Sequence, residues 1–353
     1  MLVFRAVCFA DLPAIEHLAI IAGSSMTTLP NNRDHLAELI NSTKKSLQQN
    51  VKKAAQQSYH FVLQDTDTKE IIGICGIEAN VGFSAPFYSY CCDKLEHHCA
   101  PLQIQNTIDT LRLSQDYEGS SRLCTFFIAD KNYADASFAL PLLSLPRLMF
   151  IGQHPQRFMQ KIMLELQGII DSNKQSPFWQ ALGQHFFSMD FHKANYLTGI
   201  NAKGFIADLM PQYPVYVPLL ANSAQQVIGK VRPDLQKVAT LLKSEGFSFN
   251  NYVSIFDGGP TLEAAVNDLK TVKLQFSTPA IIQETTQETA SSDRQENLRI
   301  GLQEVLISNN ALSDYRCIYA KINIQAVSLT PQQSHALKVT AGDTLYVLPL
   351  STY

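Results

Sequence analysis

The alternation of apolar and polar positions changes period many times along the chain and predicts short, mixed elements. "LVFRAV" predicts a strand, and "ADLPAIEHLAIIAG" predicts a helix with Asp11 as N-cap, Pro13 in its first turn and Gly23 just past its end. "NNRDHLAELINSTKKSLQQNVKKA" predicts a longer amphipathic helix capped by Asn31 or Asn32. "YHFVLQDT" and "EIIGICGIEANVG" are β-rich runs joined by the polar turn "DTDTKE", a hairpin pattern. "LCTFFIA" predicts a strand feeding a helix from Ser137 to Gly152, and "KIMLELQGII" another strand. "SPFWQALGQHFF" predicts a helix capped by Ser176 with Pro177 at its first position. "GFIADLMPQYPVYVPLL" predicts extended chain, because its three prolines oppose a helix. A last helix, "DLQKVATLLKSEGF", stops at Gly246 and feeds "NYVSIFDGG". After Lys273 the periodicity lapses: "STPAIIQETTQETASSDRQENLR" is polar and reads as a linker or exposed loop, before the β-rich "YRCIYAKINIQAVSLT" and "DTLYVLPL". The predicted organisation is a main domain over 1–273, a polar linker over 274–297 and a small β-rich module over 298–353.

This order is mixed α/β (α+β) without simple βαβ repetition. It is similar to that of the acyl-CoA N-acyltransferase (GNAT-like) fold, which implies a mixed twisted sheet flanked by helices, with a splayed pair of strands near "LCTFFIA". There a strand running into a helix N-terminus seats a pyrophosphate on exposed backbone N–H groups and the helix dipole. Yet Ser120 to Ile151 contains no glycine, and Cβ-bearing residues hinder close backbone approach to a phosphate.

Composition narrows the picture. The chain has 353 residues, 46% hydrophobic and 17% charged, enough for a large core. A formal net charge of -3 and the lack of a dense Lys/Arg run give no electrostatic case for nucleic acid. The N-terminus lacks the pattern of a signal peptide and no window reads as a membrane span, so a soluble cytoplasmic protein is expected. Seven cysteines at no paired spacing predict reduced thiols. "CCDKLEHHC" groups Cys91, Cys92, His97, His98 and Cys99, but lacks the close pair on each side that structural zinc sites show. The expectation is no metal, with these residues on a strand-to-helix junction.

Ordered motifs then carry a family resemblance. "TTLP" (Thr27 to Pro30), "PFYSY" (Pro86 to Tyr90), "SPFW" (from Ser176), "FIADLMP" (Phe205 to Pro211), "AQQVIG" (Ala224 to Gly229), "IFDGGPTLEA" (to Ala264) and "LTPQQSHALKVTAGD" together resemble bacterial arginine N-succinyltransferases. The resemblance implies transfer of a succinyl group from succinyl-CoA, the co-substrate, to the α-amine of L-arginine in arginine catabolism, with no permanently bound cofactor. The glycine-less "KNYADASFALPLL", the start "MLVFR" and "PQYPVYVPLL" are similar to alpha-type chains of two-chain enzymes. That implies a beta-type homologous partner, or failing that a homo-oligomer. Alternatives are a catalytically silent structural or regulatory subunit and an acyltransferase of altered specificity.

The resemblance also nominates residues. In "VIGKVRPDL" Arg232 occupies the position of the family's proton-donor histidine, and a guanidinium does not exchange protons near neutrality. It suits a salt bridge, or bidentate binding of a carboxylate such as that of a succinyl group. His97 is a second candidate acid or base. Phe126 holds the succinyl-CoA position, flanked by Cys124, which reads as a small hydrophobe, and Thr125. Glu78, Asp208 and Asp257 are candidates for the substrate guanidinium, each also compatible with a cap, turn or ion pair. Cys91, Asp93 and Gln167 replace residues that are usually basic or glycine in relatives, which bears on local substrate contacts.

Overall fold

The computed structural model describes residues 1–23, 26–129, 138–200, 204–283 and 301–350. Its strands are β1 (Leu2–Ala6), β2 (Ser58–Asp65), β3 (Ile71–Glu78), β4 (Ser89–Cys99), β5 (Ile104–Ser114), β6 (Ser121–Ile128) and β7 (Lys161–Glu165). Beyond these come β8 (Val215–Tyr216), β9 (Ser248–Ser254), β10 (Pro260–Ala265), β11 (Phe276–Pro279), β12 (Leu302–Asn309), β13 (Arg316–Asn323) and β14 (Thr344–Pro349). All belong to one 14-stranded sheet in the order β11-β14-β12-β13-β1-β2-β3-β6-β7-β10-β9-β4-β5-β8. Its pairings are antiparallel except β6 with β7, so the sheet is mixed as expected.

The principal helices are α1 (Leu12–Ala22), α2 (Arg33–Gln48), α3 (Ala139–Gln153), α4 (Pro177–Ala181), α5 (Gly183–Phe187), α6 (Phe191–Gly199), α7 (Gly204–Leu209), α8 (Gln236–Glu245) and α9 (Pro331–Leu337). Strand alternation assigns them to faces. Val62 and Ile74 pack with Ile15 and Leu18 of α1 and Leu36 and Ile40 of α2. Their neighbours Phe61, Leu63, Cys75 and Ile77 pack with Leu142, Leu145 and Met149 of α3 and Leu242 of α8. The middle of the sheet is therefore covered by α1 and α2 on one face and by α3 and α8 on the other. Helix α3 is buried at every position from Leu142 to Ile151, which its nearly unbroken apolar sequence permits.

Several local expectations change. Asp11 stands at the N-cap position of α1 without a capping bond; its carboxylate instead takes a bidentate pair from Arg5 at 2.7 and 2.8 Å and the Cys8 N–H. Asn32 caps α2 through the His35 N–H. The run from Ser176 breaks into α4 and α5, where a Cβ on Gly183 would enter the Trp179 ring. "GFIADL" is helical, because Pro211, Pro214 and Pro218 all lie past its end and restrict only the chain around themselves. "CCDKLEHHC" is no strand-to-helix junction: it is strand β4, paired with β5 along its whole length, with residues 94–98 exposed. Alternate residues of a strand face opposite sides, so this cluster does not converge on one point. Within 274–297, Phe276–Pro279 is strand β11; residues 284–297 lie outside the described residues. One side of the C-terminal strands packs in a cluster with Val3 of β1 and with Ala280; Leu306, Cys317 and Leu348 on the other side join the main core, and β13 continues the sheet through Val3, Phe4 and Arg5 of β1.

Candidate functional site

Strand β6 carries the irregularity on which the site is built. It pairs with β3 as Gly73 to Ile128 and Ile74 to Phe127, but Gly76 to Cys124 and Ile77 to Leu123, so Thr125 and Phe126 together oppose Cys75. That is a β-bulge, and Thr125 takes a left-handed φ of 54° to make it. The extra residue reverses the side-chain alternation. Leu123 before the bulge and Phe126 and Ile128 after it all pack toward α3, while Phe127 faces α1 and α2. A non-glycine residue in this conformation costs about 1–3 kcal/mol and persists only where its surroundings hold it. Here Thr28 accepts the Thr125 N–H at 3.0 Å on its Oγ1, and its carbonyl accepts the Thr125 hydroxyl at 3.2 Å.

On its other side β6 meets β7 only at Ser121 with Ile162 and Arg122 with Met163. From Leu123 onward the two parallel strands part, which is the splay expected near "LCTFFIA". The gap opens into a cavity of about 920 Å³ that reaches from Met26, Thr28, His35 and His60 on one face to Leu140, Arg147 and Leu242 on the other.

Charges line this cavity unevenly. Arg122 is buried and donates from Nη2 to Glu78 at 2.7 Å; Glu165 stands 3.9 Å from Nη1, and the Phe87 ring lies 5.2 Å below the guanidinium. Burial alone would lower the Arg122 pKa, but Glu78 and Glu165 hold it above its ordinary value. His60 is buried between Thr43, whose hydroxyl is 3.3 Å from Nδ1, and Thr125, whose hydroxyl is 3.5 Å from Nε2. Burial pulls its pKa down to about 4, so the ring is neutral near pH 7. Cys124 is the reverse case: burial pushes its thiol up to about 11, and a protonated thiol is a poor nucleophile.

The cavity brings together six of the eight residues nominated from sequence: Glu78, Cys124, Thr125, Phe126, Arg232 and Asp257. Arg232 enters a turn at the cavity wall, where its Nε and Nη2 clasp Asp234 at 2.6 and 2.8 Å and its N–H bonds the Gln167 carbonyl at 2.9 Å. Asp257 is buried and binds backbone: Oδ2 accepts the Gly168 N–H and Oδ1 the Gly259 N–H, both at 2.9 Å. Burial raises its pKa against those two bonds. Asp208 is exposed on α7 and His97 is exposed on the outer half of β4; neither lines the cavity. Cys91 donates to Asp93, which pairs with Arg112 at 2.8 Å. Residues 130–137, most of the glycine-less loop, lie outside the described residues.

Sequence reasoning missed Thr28, His60, Arg122, Glu165 and Arg147. A signal existed for two of them. Arg147 is the one charge in the otherwise apolar "ALPLLSLPRLMFIG", and His60 interrupts the apolar run "YHFVL".

The comparisons with known proteins agree with this geometry. A family model described as arginine N-succinyltransferase beta subunit matches residues 2–271, and one described as the C-terminal domain of that subunit matches residues 292–349. The arginine N-succinyltransferases of Yersinia pestis (strain Pestoides F) and Escherichia coli (strain 55989 / EAEC) are each 36% identical over 352 residues, covering 99% of this chain and 98% of theirs. The solved structure of arginine/ornithine succinyltransferase subunit AI from Pseudomonas aeruginosa superposes with a TM-score of 0.86 at 32% identity, covering 99% of this chain and 98% of that one. On these matches, which run essentially end to end, the chain belongs to the arginine N-succinyltransferase family.

Proposed function

We propose that the chain takes part in transferring the succinyl group of succinyl-CoA to the α-amine of L-arginine, as the alpha-type member of a pair with a glycine-bearing homologue. The observation that carries this reading is the gap between β6 and β7 opening into the 920 Å³ cavity, in a chain matched along its length by that family. The edge of β6 that β7 leaves unpaired suits the amides of an extended pantetheine arm, which can add to it as another strand would. Glu78 and Glu165 bring two carboxylates to the cavity wall beside Arg122, groups of the kind that would attract a cationic amine acceptor.

Acyl transfer to an amine requires removal of an amine proton and benefits from protonation of the departing thiolate. Arg232 supplies neither, because a guanidinium holds its proton and this one is clasped by Asp234. The chain alone is therefore expected to release CoA slowly in the presence of succinyl-CoA and L-arginine. Arg232→His is expected to raise that rate about 10²-fold or more, the usual worth of a general acid. A thiol-release assay on both proteins decides: a fast wild type slowed by the substitution would make Arg232 a working ligand and overturn this account of it. The Arg232 clasp also favours a second reading, a silent subunit that binds the thioester without turnover, and the same assay run with the homologue present separates the two.

A further inference from the structure

Arg147 lies in the middle of α3 with 2% of its surface exposed, yet it lines the cavity. Its Nε reaches the Ser144 carbonyl at 3.3 Å and its Nη1 the Gly76 carbonyl at 3.5 Å, both long; its guanidinium lies 5.4 Å from the Phe126 ring centroid. Among the described residues no carboxylate forms an ion pair with it, and Nη2 has no hydrogen-bond partner. Burial lowers its pKa, but a guanidinium remains charged at any physiological pH. One turn away on the same helix, the buried hydroxyl of Ser144 also lacks a partner among the described residues. An uncompensated cation inside a core is costly to fold, and a methionine of similar reach would serve packing better. The other two buried arginines among the described residues differ: Arg122 has Glu78, and Arg157 donates to the carbonyls of Ser46 and Gln49 at 3.0 and 2.7 Å.

We propose that Arg147 receives the free carboxylate of the acyl donor, which makes it the residue that selects a dicarboxylic acyl thioester over a neutral one. This rests on the acyl-CoA reading above. Position supports the carboxylate over the donor's phosphates. Arg147 is eight residues from the first residue of α3, about 12 Å along the helix axis, too deep for a diphosphate held at that helix's N-terminus. It stands instead beside Phe126, at the bulge where β6 leaves β7 and an acyl thioester on the unpaired edge would end. Arg232 is a weaker candidate for the same task, since Asp234 already occupies its fork.

The test is equilibrium binding by calorimetry on the full-length chain, with succinyl-CoA and with butyryl-CoA, which has the same four-carbon acyl length and no carboxylate. Wild type is expected to bind succinyl-CoA at least tenfold more tightly. Arg147→Met is expected to lose that preference, bind butyryl-CoA as wild type does, and melt no lower than wild type without ligand. Arg147→Lys, which keeps the charge but not the fork, is expected to fall between them. A preference that survives in Arg147→Met, or equal binding of the two thioesters by wild type, overturns the proposal while leaving the acyl-CoA reading intact. Binding of neither thioester by wild type, alone or paired with the glycine-bearing homologue, overturns both.

Discussion

At the scale of single residues the site depends on a few enforced contacts around the bulge. A Cβ on Gly76 would stand 2.5 Å from Cδ2 of His60 and 3.0 Å from Sγ of Cys124. Gly76→Ala is therefore expected to cost about 1–3 kcal/mol, the usual penalty of overpacking, measured by urea denaturation. His60 also gives the fold a pH dependence whose sign comes from its depressed pKa. Between its ordinary value of 6.5 and about 4 the unfolded chain takes up a proton that the native ring refuses, so stability falls as pH drops through that window. The expected loss is of order 3 kcal/mol, and His60→Gln should remove it, leaving the similar contribution of His154, whose pKa burial also lowers to about 4. An unchanged pH profile in that variant would show that His60 is not buried neutral. These residues were hard to read in advance. Burial and partners, not residue type, decide whether a histidine inside "YHFVL" is a core ring or a ligand, and no local pattern discloses that Thr125 adopts a left-handed backbone.

At the scale of elements, the segments with a buried apolar face were legible and those without one were not. The β2/β3 hairpin, α2 and α8 appear where the apolar period put them, because burial on one side imposes that period. The β4/β5 hairpin was missed because its outer half packs on neither face; "DKLEHHC" has no buried stripe to report. Strand β12 and the register of β6 escaped for a different reason, since both are set by partners far away in sequence. Helix α3 underlies the cavity from the core side, and its packing is a test of that placement. Leu145→Ala in its fully buried face is expected to cost about 2–5 kcal/mol. A loss below about 1 kcal/mol in chemical denaturation would mean that α3 is not packed against the sheet as described.

At the scale of the whole molecule, one sheet joins the ends of the chain. β1 sits between β2 and β13, so removing everything after Gln283 would strip β1 of a neighbour and uncover Val3 together with Ala280. An exposed apolar edge of this kind promotes association of strands. The truncated chain is expected to be insoluble or to melt well below the full chain; a soluble fragment with an unchanged melting temperature would mark the C-terminal strands as an independent unit. Family and fold class were legible at this scale because ordered motifs recur from Thr27 to Asp343, whereas the cavity was not, since it forms only when β6 and β7 part. Whether this chain contributes to succinyl transfer on arginine is decided by mass spectrometry of the product formed from labelled succinyl-CoA and L-arginine by the chain co-purified with a glycine-bearing family member. Label is expected on the α-amine of arginine at a rate above that of either chain alone. A pair no faster than the glycine-bearing chain by itself would rule out a catalytic contribution from this chain.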